Sequence, residues 1–320
     1  MQLAGSADPG GALQSVVKYI LPFQRNRMGK DSTQKPSRDT ARLRERIDEI
    51  KRDAGAEAIA VAVRDVETSV EFDFESDRWF HAASTIKVPI LVGVFGAVHG
   101  GELLPQSRLH VRNRFRSAAD GSIFRVEPDR DANAAVHAAL GKTMQVRELA
   151  FHMIATSSNL ATNLLLDYVG LESMQRTFGE LGLDEGIELL RGVEDHRAFD
   201  AGVSNRVTAA GLARLLKLIA EERAFSRALS REMLDILHAQ EFNSGIPAPL
   251  PKRTRVAHKT GEISTIAHDA GVVYLHGRNP YVLVVLTEWG TGTSGRQQAV
   301  AKVSEAVYAF LTSDARTTDG

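Results

Sequence analysis

The feature of this sequence that most constrains its fold is a change of hydrophobic period along the chain. Residues 58–65 and 69–75 are alternating or β-branched runs separated by a short turn, which indicates a hairpin. Residues 100–240 have mainly helical spacing, and strand-like runs return after them. These later runs are 255–263, 270–276 and 281–289. Strands from both ends of one domain, with helices between them, predict an α/β (α+β) fold with one antiparallel sheet and an all-helical lobe.

The helical runs are distinct enough to predict individual helices. An amphipathic run at 40–52 is followed by Gly55, a residue suited to end a helix. The stretch from Ser84 to His99 is almost wholly apolar after Lys87, as expected of a buried helix. Further helices are predicted at 146–169 in two pieces, at 208–222 and at 295–311, and a long loop is predicted at 113–135.

These elements predict a single domain over residues 38–312, with a disordered or peripheral arm at 1–37 and a tail at 313–320. The second half of the arm is polar and lacks an apolar period, and it contains Met28, an alternative start to Met1. A cleft between two lobes is a favoured place for a ligand site. The sheet lobe is expected at about 38–83 and 245–312, and the helical lobe at about 84–244.

Composition argues against several classes of function. With 39 Lys and Arg against 40 Asp and Glu, the net charge of −1 provides no broad field that would attract nucleic acid or an anionic membrane. The sequence has no cysteine, which excludes a disulfide scaffold, thiolate metal sites and a cysteine nucleophile. It also has no spaced cluster of histidines and carboxylates, so we expect neither a metal nor a cofactor.

Expectations about location and assembly come from the same sequence. A membrane-spanning helix needs about 20 apolar residues in a row, and the sequence has no such run. No secretory signal is visible before the short apolar stretch 15–23, which favours the cytoplasm and leaves a periplasmic or secreted location as the alternative. We expect a monomer.

Ser84 and Lys87 place a hydroxyl and an amine three residues apart at the start of the predicted buried helix. At this spacing both side chains share one helix face. A lysine in an apolar setting can lose its proton near neutral pH and activate the serine. The S-x-x-K pattern is weak alone, because it also occurs at 15–18 and 32–35. The apolar residues after Lys87 favour a buried amine over the alternative, a solvated lysine.

Two further motifs occur once each, in the order that a site built around Ser84 requires. The S-S-N motif at 157–159 interrupts two helical runs, where a polar turn can project side chains into a cleft. The K-T-G motif at 259–261 lies on the first of the later strands, and its glycine would let a ligand approach the backbone closely. The alternatives are an ordinary polar turn or helix cap for the first motif and a surface lysine on a strand edge for the second.

The three ordered motifs resemble those of the serine β-lactamase and penicillin-binding-protein superfamily, and above all its class A β-lactamase-like serine hydrolases. The similarity runs from about residue 40 to 312, and it includes the local sequence FHAASTIKVPI around Ser84 and MIATSSNLATNLLL around the S-S-N motif. The resemblance implies a β-lactamase-like fold with its site in the cleft between the lobes. It also implies acyl transfer from an amide to Ser84, without a cofactor.

The resemblance assigns roles to the residues of the first two motifs. Ser84 would be the acylated nucleophile, and Lys87 its general base or proton relay. Ser157 would pass the proton to the leaving nitrogen of the substrate, and Asn159 would bind the substrate's amide side chain. Asn163 matches a further helix position of the family and is expected to be structural.

The third motif would bind the substrate in the same scheme. Lys259 and Thr260 would hold the substrate carboxylate, and Gly261 would leave room for the ligand beside the strand. The backbone N–H groups of Ser84 and of Glu262, which follows the glycine, would form the oxyanion hole.

The sequence departs from the family pattern in the loop that serves hydrolysis of the acyl-enzyme. Class A enzymes activate a water with a glutamate in an E-x-x-x-N loop, and residues 189–205 contain no such match. Glu194 is the candidate base, with Asp195 and Asp200 as further candidates. The alternative for Glu194 is a solvated loop carboxylate, in which case acylation survives and deacylation slows.

The histidines near the motifs leave alternatives open. His268 follows the K-T-G strand, in a region where many class A enzymes carry an arginine for the substrate carboxylate. It is expected either to face the pocket, as a substrate-binding residue, or to pair with Asp269. His81 and His258 flank motifs and are expected to be structural.

The sequence therefore predicts a two-lobed serine hydrolase acting on a small-molecule or peptide-like amide, with a β-lactam as the first expectation. A peptidase or esterase of the penicillin-binding-protein type is the alternative, and the missing E-x-x-x-N loop favours it. A catalytically inactive relative that only binds its ligand is a third possibility. The intact Ser84–Lys87 pair argues against that third possibility.

Overall fold

The computed structural model describes residues 38–132 and 134–313, so the predicted arm at 1–37 and most of the predicted tail lie outside the described residues. The strands are β1 (Ala58–Asp65), β2 (Glu71–Phe74), β3 (Phe80–His81), β4 (Arg108–His110), β5 (Phe115–Arg116), β6 (Ile123–Phe124), β7 (Thr143–Gln145), β8 (Ile187–Glu188), β9 (Arg206–Val207), β10 (Arg255–Ile263), β11 (Ile266–Tyr274) and β12 (Tyr281–Glu288). The helices are α1 (Arg38–Asp53), α2 (Lys87–His99), α3 (Ala134–Ala138), α4 (Val146–Ala155), α5 (Asn159–Val169), α6 (Leu171–Glu180), α7 (His196–Asp200), α8 (Ala209–Ala220), α9 (Arg227–His238) and α10 (Arg296–Thr312). Two 3-10 turns lie at Ala83–Ile86 and Pro128–Arg130.

The main sheet has five strands in the order β10-β11-β12-β1-β2, and every neighbouring pair is antiparallel. Strand β1 from the beginning of the domain pairs with β12 from its end, with Val61 opposite Val285. The predicted antiparallel sheet built from both ends of the chain is therefore confirmed.

Both faces of this sheet are buried, and the side chains of β1 show why. Ala60 and Ala62 face the larger core, which is formed with the helices from the middle of the chain. Ile59 and Val61 face a second core, which α1 and α10 cover. Since successive side chains of a strand point to opposite faces, small residues line the helix-packed face of β1 and β-branched residues line the other.

Three parts of the fold differ from the prediction. The lobe predicted to be all-helical, at about 84–244, also contains the short strands β4 to β9, which are too short to show a period in sequence. Strand β11 begins at Ile266 and not at residue 270, because the polar residues His268 and Asp269 are buried, where they contact the carbonyl of His81 in β3 and the ring of His258 in β10. The predicted long loop at 113–135 contains the short hairpin β5–β6 and one of the 3-10 turns. Alternation is hard to detect in strands of two residues, so this hairpin gave no clear signal.

The helices bring the predicted motifs to one end of the sheet. The chain leaves β3, forms the 3-10 turn and continues directly into the buried helix α2, with Pro89 in the first turn, where proline is tolerated. The gap between α4 and α5 carries the S-S-N motif, and β10 carries K-T-G. None of the helices in the described ranges is long and apolar enough to cross a membrane.

Candidate active site

Ser84 lies in the 3-10 turn that joins β3 to α2. The residue before it, Ala83, has a left-handed backbone with φ of 44°. Two hydrogen bonds hold the approach to Ser84. The backbone N–H of Ala82 donates to the carbonyl of Asn205 in another segment (3.0 Å), and that of Ala83 donates to Nδ1 of the nearby His81 (3.1 Å). The strained turn is thus fixed by its surroundings, as expected of a backbone conformation that persists only when its neighbours over-determine it.

The side chain of Lys87 is fully buried and forms the centre of the site. Its Nζ lies 3.0 Å from Oγ of Ser84 and 3.0 Å from Oγ of Ser157. It also lies 2.8 Å from the carbonyl oxygen of Ser157 and 2.8 Å from Oδ1 of Asn159. An ammonium has only three N–H donors, but four oxygens surround this nitrogen. The arrangement therefore suits a neutral amine, which can accept a proton from one of the two hydroxyls.

The charge state of Lys87 follows from its burial. Desolvation lowers the pKa of Lys87 to about 7, and the carboxylates of Asp131 and Glu194 partly oppose this shift. At neutral pH a substantial fraction of the amine is therefore unprotonated, with a lone pair 3.0 Å from the Ser84 hydroxyl. This geometry allows general-base activation of a serine.

The S-S-N motif forms the tight entry to α5. Ser157 has a left-handed backbone with φ of 59°, which turns its hydroxyl and its carbonyl towards Lys87. Ser158 caps α5, because its Oγ accepts from the backbone N–H of Ala161 (3.1 Å). The first serine and the asparagine therefore contact the lysine, while the middle serine organises the helix start.

The K-T-G motif contributes a second buried amine. Nζ of Lys259 donates to the carbonyl of Thr260 (2.8 Å). Burial and, to a lesser degree, the nearby amine of Lys87 hold the pKa of Lys259 well below its usual value, and Asp269 opposes them. Thr260 is almost fully buried beside it.

Gly261 is required by close packing between β10 and the 3-10 turn. A Cβ at this position would lie 3.0 Å from the backbone N of Thr85 and 3.1 Å from the backbone N of Ser84. A side chain here would require the strand or the turn to shift by a few tenths of an ångström, so glycine favours this close approach.

The register of the β10–β11 hairpin orients the next backbone group, that of Glu262. The pair Ile263–Ile266 closes the two-residue turn, and Glu262 is opposite Ala267. Because hydrogen-bonded and non-hydrogen-bonded pairs alternate in an antiparallel ladder, the Glu262 N–H points away from β11. Strand β10 is at the edge of the sheet, so this N–H points out beside the Ser84 turn.

The Glu262 side chain makes contacts of its own. It is half-exposed, and its two oxygens accept from Nη2 of Arg296 (3.1 Å) and Nε2 of Gln297 (3.3 Å). Any contribution of Glu262 to an oxyanion site would therefore come from its backbone.

Glu194 reaches the site from the loop between β8 and α7. Its Oε1 lies 3.4 Å from Nδ2 of Asn159, and its Oε2 pairs with Nε of Arg130 (2.6 Å) and with Nε2 of His196 (3.2 Å). Its backbone is left-handed, with φ of 61°. Of the three candidate carboxylates, Glu194 is the one that contacts a motif residue.

The other two candidate carboxylates have different surroundings. Asp195 is fully buried and accepts from Oγ of Ser117 (2.8 Å) and from the backbone N–H groups of Ala118 (2.8 Å) and Ala198 (3.2 Å). Asp200 is exposed at the end of α7. Asp195 thus anchors the loop to the β5–β6 hairpin, with both of its oxygens engaged in these contacts.

Most of this chain is similar to known proteins. The profile of the Beta-lactamase enzyme family matches residues 42–311. The chain belongs to this family. A curated protein named Beta-lactamase, from Bacteroides uniformis, is 27% identical over 179 residues, which cover 52% of this chain and 60% of that relative.

Solved structures of the β-lactamase family have the same fold as this chain. An acyl-enzyme complex of a PBP-A mutant with penicillin G aligns at a TM-score of 0.73 and 26% identity, covering 85% of this chain and 97% of that chain. An ancestral class A β-lactamase aligns at a TM-score of 0.71 and 26% identity, covering 83% of this chain and 98% of that chain. The class A β-lactamase fold is therefore established, and family and fold together support a hydrolase of the β-lactamase type.

His268 differs from both expectations for it. Its ring is fully buried, with Nε2 3.0 Å from the carbonyl of His81 and Nδ1 accepting from the backbone N–H of Thr287 (3.0 Å). Burial lowers the pKa of His268 to about 3, so the ring is neutral. The placement of His268 in the pocket is thus corrected, because both ring nitrogens already join β11 to its neighbours.

His258 pairs with the carboxylate that His268 was expected to contact. Its Nδ1 lies 2.9 Å from Oδ1 of Asp269, and its Nε2 lies 3.1 Å from Oδ1 of Asn243. These contacts agree with the structural role expected for His258.

Within the described ranges, no group of three or more His, Asp or Glu side chains is placed to hold a metal ion.

The sequence did not point to Asp131, which supports the site in this β-lactamase-family fold. Its oxygens accept from Oγ of Ser158 (3.1 Å) and from the backbone N–H groups of Asn159 (3.1 Å) and Leu160 (2.9 Å). Asp131 lies in the least periodic part of the chain, 27 residues before Ser158. Nothing in its local sequence linked it to the S-S-N motif.

Proposed function

We propose that this member of the β-lactamase family is a serine hydrolase in which a β-lactam, or a related amide, acylates Ser84 and water then releases the acyl group. The observation that carries the proposal is the position of the buried Lys87 amine, 3.0 Å from the hydroxyls of both Ser84 and Ser157. One amine can thereby connect the nucleophile to a second hydroxyl on the leaving-group side.

In the acylation step, the neutral Lys87 amine takes the proton of Ser84 as Oγ attacks the amide carbonyl. The backbone N–H groups of Ser84 and Glu262 stabilise the negative charge that develops on the carbonyl oxygen. As the C–N bond breaks, Ser157 gives its proton to the leaving nitrogen and receives one from the Lys87 ammonium. Lys87 ends the step neutral, so the protons balance.

Substrate binding would use the rest of the cleft. Lys259 and Thr260 hold the substrate carboxylate, and Asn159 binds the amide side chain next to the scissile bond. Gly261 serves the site by letting β10 approach the Ser84 turn, since the space beside its Cα is filled by that turn. The support for these roles is that the K-T-G strand packs directly on the Ser84 turn.

Glu194 is our proposed base for deacylation. Its contact with the amide of Asn159 places a carboxylate next to the Lys87–Asn159 pair, where it can orient a water towards the acyl carbonyl. A second candidate function, an enzyme whose acyl form accumulates, is favoured by the pairing of Glu194 with Arg130 and His196, which occupies Oε2 and leaves only Oε1 facing Asn159.

A time course with a chromogenic cephalosporin, combined with mass spectrometry of the intact protein, tests the proposal. We expect the wild type to show turnover, or a one-equivalent burst with an acyl adduct, and Ser84→Ala to show neither. Ser173→Ala, in helix α6, is the matched control and should behave as the wild type. Sustained turnover supports a β-lactamase, and a burst without turnover supports the second candidate. Absence of any adduct on the wild type would refute acylation by β-lactams.

A further inference from the structure

The S-S-N motif does not hold its own conformation, because its supporting carboxylate comes from another part of the chain. Asp131 follows the 3-10 turn Pro128–Arg130, and its side chain is fully buried. It accepts hydrogen bonds from Ser158, Asn159 and Leu160, three consecutive residues at the start of α5.

These contacts satisfy the first turn of α5. The N-terminal N–H groups of a helix have no partner within the helix. Ser158 caps the N–H of Ala161, and Asp131 takes those of Asn159 and Leu160. Asp131 therefore completes the cap at the point where the left-handed Ser157 turns towards Lys87.

The preceding residue extends the same support. The carbonyl of Arg130 accepts from Nδ2 of Asn159 (3.1 Å), which orients Oδ1 of that amide towards Lys87. The Arg130 guanidinium pairs with Glu194. One short segment thus contacts the Asn159 side chain and the candidate deacylating carboxylate.

We propose that Asp131 is a positioning residue for acylation, which holds Ser157 and Asn159 against Lys87 and supplies negative charge beside that amine. This inference rests on the proposed function, because it concerns the same site. It concerns a residue outside all three sequence motifs.

The charge of Asp131 acts on Lys87 in a definite direction. Among the described residues, the charged groups that face Lys87 are the carboxylates of Asp131 and Glu194 and the amine of Lys259. The titratable ring of His137 lies against Asp131 itself, with Nε2 3.2 Å from Oδ2 of that carboxylate. The two carboxylates raise the pKa of Lys87 against the effect of burial. Without the Asp131 charge, the pKa of Lys87 falls below about 7, so the free amine forms at lower pH.

The test is the rate at which Ser84 reacts with a fluorescent penicillin and, separately, with a fluorophosphonate, over about four pH units centred on 7. For the wild type we expect the rate to rise through pH 7 as Lys87 loses its proton. For Asp131→Asn we expect the plateau rate to fall by about 10- to 100-fold, since small displacements of reacting groups have effects of this size. The midpoint of the pH–rate profile should also move to lower pH, and loss of packing alone would not cause this shift.

Two further variants make the test decisive. Asp129→Asn, an exposed position in the same 3-10 turn, is the matched control and should leave plateau and midpoint unchanged. Asp131→Glu retains the charge and covers the case in which Asp131→Asn does not fold. It should keep the wild-type midpoint with a lower plateau.

The outcomes separate the inference from the proposed function. A wild type that reacts with neither probe refutes the proposed function. A reactive wild type whose Asp131→Asn variant keeps both plateau and midpoint refutes the role of Asp131. A lower plateau with an unmoved midpoint refutes its electrostatic part. If Asp131→Glu folds and Asp131→Asn does not, a shifted midpoint of the pH profile in Asp131→Glu refutes the electrostatic role of Asp131.

Discussion

Lys87 and Glu194 both lie against Asn159, on its carbonyl oxygen and its amide nitrogen respectively, but the chain holds them by different means. The Lys87 side chain is fully buried and surrounded by α2 and the S-S-N turn. The Glu194 side chain is 18% exposed, and its ion-pair partners Arg130 and His196 are 55% and 60% exposed. The amine is part of the core, and the carboxylate belongs to the protein surface.

This difference indicates which half of the proposed reaction is more robust. Groups fixed by core packing keep their positions at a wide range of salt concentrations, whereas exposed ion pairs are screened. We therefore expect acylation to depend on the interior of the fold and deacylation to depend on contacts at its surface.

Glu194→Gln should separate the two steps most strongly. Removing a general base slows the step that it serves by about 10²- to 10⁴-fold, and here that step is hydrolysis of the acyl-enzyme. Acylation should continue, so mass spectrometry should show the acyl adduct accumulating. Asp200→Asn, an exposed carboxylate in the same region, is the control. A variant that turns over as fast as the wild type would exclude Glu194 as the base.

Asp195→Ala should slow deacylation, because Asp195 anchors the loop that carries Glu194. The change removes the α7 cap and leaves buried donors of Ser117 and Ala118 without their acceptor. We expect a loss of about 2–4 kcal/mol in the free energy of unfolding, measured in urea. Deacylation should fall more than acylation in the folded variant, and an equal fall of both rates would contradict this expectation.

Glu262→Gln should have the smallest effect. Its side chain makes a half-exposed ion pair with Arg296, and such pairs contribute at most about 1 kcal/mol. The proposed oxyanion contact uses the backbone N–H, which the change retains. Acylation should remain within about fivefold of the wild type, the factor that corresponds to that energy. A much larger loss would show that the carboxylate itself takes part.

The sheet and most helices could be predicted from the sequence because their side chains follow a clear period. β1 and β10 were placed at their observed bounds, 58–65 and 255–263. The start of β11 was missed because buried polar residues such as His268 and Asp269 resemble turn residues in sequence. Their burial depends on partners in other segments, which no local pattern shows.

The motifs of the site were found for a related reason. Ser84 and Lys87 are near neighbours on the chain, and their apolar context is local. Asp131 supports the S-S-N motif across 27 residues, and its partners are backbone N–H groups, which any residue type provides. Sequence alone therefore identified the groups that would react but not the group that positions them.

The close approach at Gly261 also limits how this protein could diversify. Any side chain at this position must push the Ser84 turn or β10 aside, because the atoms it would meet belong to the backbone. Substitutions that move β10 would therefore also move the turn that carries Ser84. New specificities in this lineage should therefore arise on the more exposed loops around Glu194, where replacements leave that junction intact.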